Sequence, residues 1–188
     1  MIAVITPTIP GRQGYLARCI ETISHQVLPP YTHLIQMNYD GCNSMTNYNR
    51  LIKKALSDPK VDWIAWCADD DVYSPTHLAA MDIVKKDCHV VYSGYRYMID
   101  GHVADIVCVK PDANTLLNVT NYITNPMIHR SVFERGIFMR EDTIDADWLF
   151  YKRLVELGCR FSCTDVVTFD YVDHANQTHK KGLDHYER

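Results

Sequence analysis

Three consecutive carboxylates, Asp69, Asp70 and Asp71, follow an apolar run, residues 63–67, within the stretch VDWIAWCADDDVYSP. Adjacent acids repel: two unit charges about 4 Å apart cost roughly 4 kcal/mol at an effective dielectric of 20. A divalent cation removes that cost, and hard carboxylate oxygens suit Mg²⁺ or Mn²⁺. The apolar run has the length and composition of a strand buried on both faces, so the acids sit where it leaves the sheet. Open α/β sheets bind ligands at that edge. The same residues also fit a solvated acidic turn, with Asp71 or Ser74 capping the next helix. Both readings stand on the stretch alone.

Other groups have similar two-sided readings. Asp40 ends a second β-prone run and precedes Gly41, so it either contacts a ligand or shapes an Asx-type turn. Arg12 lies in the loop after the first run and either meets a phosphate or is solvated. Asp145 and Asp147 open an amphipathic segment, where the helix dipole favours an ionised carboxylate and where one of them can serve as the cap. His174 and His179 lie in a polar tail; neutral imidazole is a competent Mn²⁺ ligand, and solvation is the alternative.

These groups need a scaffold that brings strand ends together. The first half supplies it as a β-α repeat: strands over 2–6, 31–37 and 61–67, and helices over 15–26, 44–56 and 75–86. The second half changes character. Runs at 89–99 and 102–109 flank Asp100-Gly101, a strong hairpin signal. Residues 118–124 are β-prone, helices are expected over 131–135 and 147–157, and 161–171 returns to strand.

The 188 residues make one α/β domain: a nucleotide-binding half over 1–98, an acceptor half over 99–172 and a polar tail over 173–188. The net charge of −4 gives no footprint for nucleic acid or an anionic membrane. No apolar stretch approaches the roughly 18 to 20 residues of a membrane span, and the opening run is too short for a signal peptide. Seven cysteines without a Cys-x-x-Cys pair fit reduced thiols and a cytoplasmic protein.

Several elements in order resemble the glycosyltransferase-A fold, and most of all the family-2 glycosyltransferases. They are Thr6-Pro7-Thr8-Ile9-Pro10-Gly11-Arg12 after the first strand, Asn38-Tyr39-Asp40-Gly41-Cys42 after the second, and Asn49 and Ala55 in the following helix. Ala68-Asp69-Asp70-Asp71 with Pro75 and Leu78 resembles the Asp-x-Asp motif, and Asp147-Trp148 with Arg153-Leu154 and Gly158 resembles the helix carrying the base. The chain departs from the pattern at Asn38, Tyr48, Ala68 and Ala146, where acids, an arginine and a glutamate are usual.

The resemblance implies a single-domain fold with a mostly parallel central sheet flanked by helices and a mixed second half. It implies Mn²⁺- or Mg²⁺-dependent transfer of a sugar from a nucleoside diphosphate sugar, with a UDP-sugar as the expected donor, to a glycan or other hydroxyl acceptor. Asp71 is then the main metal ligand, with Asp69 and His174 beside it; Thr6, Pro7, Thr8, Arg12, Asp40, Asp69 and Asp70 bind the nucleotide. Asp147, or Asp145, is the base of an inverting reaction. The rivals are a nucleotidyltransferase acting on a sugar phosphate, an inactive nucleotide-sugar-binding scaffold and, more distantly, a metal-dependent hydrolase. The loop at 10–14 has one Arg, no Lys and little glycine, which disfavours the first.

Overall fold

The computed structural model describes residues 1–39, 44–108, 123–142 and 146–174. β1 (Ile2–Thr8) pairs in parallel with β2 (Thr32–Met37) on one side and β3 (Trp63–Trp66) on the other. Antiparallel β7 (Met127–His129) joins β3 to β5 (Val90–Ile99), which runs parallel to β8 (Phe161–Asp173). β4 (Val72–Tyr73) closes the far side of β8, and β6 (His102–Val107) folds back on β5. The order is β2-β1-β3-β7-β5-β8-β4. Strands β2, β1, β3, β5 and β8 therefore point the same way, so their carboxyl ends share one edge.

The apolar runs of β1 and β3 are continuous because both sheet faces are covered. Ile2, Val4, Trp63 and Ala65 pack with Cys19 and Ile23 of α1 (Gln13–Ser24) and Leu78 and Met81 of α3 (His77–Val84). Ala3, Ile5, Ile64 and Trp66 pack on the other face with Leu51, Ile52 and Ala55 of α2 (Ser44–Leu56). Val132 and Phe133 of α4 (Arg130–Glu134) and Phe150 and Leu154 of α5 (Ala146–Glu156) complete that layer.

The helix over 44–56 forms as expected, and the others lie within two residues of theirs at each end. Asp100 and Gly101 both take positive φ, 50° and 80°, the turn geometry that the Asp-Gly pair favours. β1 runs on to Thr8 through Pro7, where a loop was expected. Proline is tolerated there because β3 pairs with β1 only as far as Ile5. β4 and β7 are two and three residues long, too short for periodicity to reveal. Of the β-prone stretch 118–124, Ile123 and Thr124 are not strand and the rest lies outside the described residues.

Helices α1 and α3 are tied by side chains across the strand edge. Gln26 accepts from the Leu78 amide (3.0 Å) and donates to the Thr22 and Ser74 carbonyls (3.0 and 2.8 Å). His77 is fully buried, with Nδ1 2.7 Å from Thr168 Oγ1 and its ring 3.8 Å from that of Tyr73. Burial pulls its pKa down to about 3. The folded chain thus holds a neutral imidazole that the unfolded chain protonates near pH 6.5, so stability is full above that pH and is lost on acidification. Denaturant unfolding between about pH 7 and pH 5 should show stability falling, with His77 contributing up to about 1.4 kcal/mol per pH unit. His77→Asn should remove its share of that slope.

Candidate active site at the carboxyl edge of the sheet

The three acids lie in the turn after β3. Cys67 N still bonds Ile5 O (3.1 Å), and Asp71 N closes the turn on Ala68 O (3.2 Å). Asp69, Asp70 and Asp71 are 2%, 6% and 2% exposed, so they are not a solvated turn. Nor does Asp71 cap α3, whose N-cap is Thr76.

Each acid has its own compensation. Asp69 accepts from Thr8 Oγ1 (2.6 Å) and Arg12 Nη1 (2.5 Å). Asp70 meets Arg12 Nη2 (3.1 Å) and His174 Nε2 (3.0 Å), while its backbone carbonyl accepts from Arg18 (3.0 Å). Asp71 accepts from Asn125 Nδ2 (2.8 Å) on one oxygen and from the Val172 amide (3.2 Å) on the other. Burial raises the pKa of Asp69, opposed by the Thr8 hydroxyl and the Arg12 charge. Burial and then the charge of Asp70 push Asp71 well above the usual carboxylate range, against the pull of Asn125 and Val172.

Around this cluster the remaining groups separate. Thr6 is buried, with its hydroxyl 2.9 Å from His33 Nε2 on the α1 side of the sheet, and burial lowers His33 to about 4. Pro7 is strand backbone. Asp147 stands in the first turn of α5 and accepts from the Trp148 amide (2.8 Å). Its charge is felt by buried Tyr151, whose ring, like that of Tyr48, contacts Trp66. The phenol of Tyr48 is pushed up by burial and then by the charge of Asp71. Asp40, Asp145 and His179 lie outside the described residues.

Sequence reasoning missed Asn125, Arg18 and Tyr15. Tyr15 stacks on His174 (4.5 Å between centroids, 13° between planes) and so fixes the imidazole over Asp70. It also lines, with Gly11, Gly14 and Arg18, a cavity of about 360 Å³ beside the acids. A polar residue before Pro126 signals a turn and nothing more, which is why Asn125 escaped notice. Asn49 instead serves the scaffold: it bonds Met139 O (2.9 Å), the Met139 amide (3.2 Å) and Glu141 (2.8 Å). Among the described residues no three acidic, His or Cys side chains converge as a ready-made metal cage.

No family model matches the chain, and no curated protein matches it by sequence. Solved structures do. The chain matches Staphylococcus aureus TarS 1-349 in complex with UDP-GlcNAc at TM-score 0.73 and 12% identity, over 95% of this chain and 60% of that one. It matches the mannosyltransferase PcManGT of Pyrobaculum calidifontis, in complex with GDP-Man and Mn²⁺, at TM-score 0.64 and 13% identity, over 97% and 59% of the two chains. These likenesses establish a glycosyltransferase-A-like fold. The chain spans about 60% of the length of these two structures.

Arg12, itself 9% exposed, bridges two of the buried acids. Removing one partner of a buried ion pair leaves an uncompensated charge and typically costs about 3–5 kcal/mol. Arg12→Ala should therefore lower the denaturation midpoint by the equivalent of about 3 kcal/mol or more. A loss under about 1 kcal/mol, the scale of a surface pair, would show that the acids are compensated otherwise.

Proposed function

We propose that the protein is a metal-dependent glycosyltransferase that moves a sugar from a nucleoside diphosphate donor to an acceptor hydroxyl. The observation that carries this reading is the convergence of Thr8, Arg12, Asp69, Asp70 and His174 on one sheet edge. They come from β1, the turns after β1 and β3, and the end of β8. The fold resembles that of structures holding UDP-GlcNAc and GDP-Man, which supports the reading.

The donor set fits a divalent cation held by few protein groups and completed by phosphate oxygens. Asp70 and His174 would hold it, since they face each other beside the cavity. Both oxygens of Asp71 are engaged by Asn125 and Val172, which suits a part in bracing the turn rather than the main-ligand role that the family resemblance implies. Such a cation would supply positive charge where negative charge builds on the diphosphate.

The chain's own residues do the rest. Arg12 is held against Asp69 and Asp70, Thr8 braces Asp69, and Arg18 lines the adjacent cavity. Asp147 accepts the acceptor hydroxyl proton as that oxygen bonds to the anomeric carbon. The bond from that carbon to the phosphate oxygen breaks on the opposite side, its electron pair leaving with the nucleoside diphosphate, so configuration inverts. The half built from β5, β6 and α5 receives the acceptor. We place the protein in the cytoplasm, in keeping with thiols such as Cys19 and Cys67, 3.6 Å apart and unjoined. No helix among the described residues is long and apolar enough to cross a membrane.

The test is release of nucleoside diphosphate from UDP- and GDP-sugars, with Mn²⁺ and a panel of hydroxyl acceptors. Asp147→Asn should lower turnover by about 10²- to 10⁴-fold with donor binding retained. Equal turnover in that variant would remove Asp147 from the role of base, and no release from any donor would reject the reaction.

A further inference from the structure

The opposite edge of the sheet carries a second cavity, also about 360 Å³, lined by Trp63, His89, His129, Ser131, Arg160 and the segment Lys85 to Cys88. The sheet topology explains the gathering. Trp63 opens β3, while His89 and Arg160 immediately precede β5 and β8; these strands run the same way, so their amino ends meet here. His129 ends antiparallel β7 at the same edge, beside Trp63 in the register (rings 5.0 Å apart, edge to face). The turn after α3 brings in the two lysines.

The hydrogen bonds fix what the imidazoles offer. His89 Nδ1 accepts from the Arg160 amide (3.0 Å), and His129 Nδ1 accepts from the Ser131 amide (3.3 Å). A neutral ring whose Nδ1 lone pair is taken carries its proton on Nε2, where it donates and cannot ligate a metal. Both rings are held toward the neutral form: burial lowers both pKa values, aided at His89 by Arg160 and Arg135 and opposed at His129 by Asp62 and Glu134. The cavity therefore has two imidazole N–H donors and three cations, Lys85, Lys86 and Arg160, against one carboxylate in its lining, Asp87; the Ser131 hydroxyl, 2.8 Å from His129 Nδ1, donates to that nitrogen. Lys85 is itself paired with Asp82, and Arg160 Nε donates to the Asp87 carbonyl, which holds that arm in place. With Lys85 offset by Asp82, the positive charge that faces the cavity rests on Lys86 and Arg160, in a chain of net charge −4. Lysines after a helix end complement its dipole; that does not account for the donors arriving from β5, β7 and β8.

We propose that this cavity is a binding site for a phosphate-type anion, separate from the acid cluster at the other edge. Charge-assisted bonds from Arg160 and Lys86, with neutral N–H donors between them, suit a tetrahedral dianion. The proposal does not depend on sugar transfer.

The test is a proton NMR titration of the full chain with inorganic phosphate and, separately, glycerol 1-phosphate, at constant ionic strength against chloride. The ring signals are assigned with His89→Gln and His129→Gln. Both rings should shift saturably with at least one of the two ligands, and the one that saturates tells a free phosphate from a phosphate ester. Affinity should fall about tenfold or more in the doubly substituted Lys86→Ala, Arg160→Ala chain, whose altered residues are exposed. Shifts that do not saturate, that chloride reproduces or that survive the double substitution would overturn the proposal.

Discussion

The structure turns on how three adjacent carboxyl groups are kept at the dry end of a buried strand. No single counter-charge does it. Asp69 is met by Thr8 and Arg12, Asp70 by Arg12 and His174, and Asp71 by Asn125 and the Val172 amide. These partners come from β1 and its following turn, the segment before β7, and the end of β8. The observed strand order, with β3 between β1 and β7 and β8 beside β4, brings these partners to one edge.

This arrangement costs stability. Buried carboxylates with raised pKa values are poor contributors to folding, and ion pairs there seldom recover their desolvation. Their burial at the carboxyl edge of the sheet fits the proposed donor site, where further charge would meet them. The scaffold makes up the difference in the two apolar layers, where β1 and β3 are sealed on both faces and α1 is clamped to α3 through Gln26. The two edges of one sheet differ: the carboxyl ends gather three buried acids with Arg12, and the amino ends gather two imidazoles with Lys86 and Arg160.

Much of this was legible in the sequence because the signals were local. The apolar runs of β1 and β3, the helix over 44–56 and the Asp100-Gly101 turn each follow from composition and spacing. The acids were legible as a cluster, since their adjacency needs an explanation wherever they lie. What was not legible depends on partners far apart in the chain. Asn125 lies 54 residues from Asp71, and the Val172 amide lies 101 away. Partner choice along one strand face was equally hidden: Thr6 and Thr8, two positions apart in β1, meet His33 and Asp69 respectively. Strands β4 and β7 owe their existence to pairing rather than to any pattern of their own.

The most direct test of the donor site is electron paramagnetic resonance of Mn²⁺ in the presence of the chain, with and without UDP or GDP. The signal of free Mn²⁺ should fall strongly only when chain and diphosphate are both present, beyond the effect of the diphosphate alone. Asp70→Asn should restore it, whereas the chain with Asp71→Asn, if folded, should still bind. A signal that the chain leaves unchanged with either diphosphate would contradict a metal–diphosphate site at Asp69–Asp71, and with it the reading of this fold as a sugar-transfer enzyme.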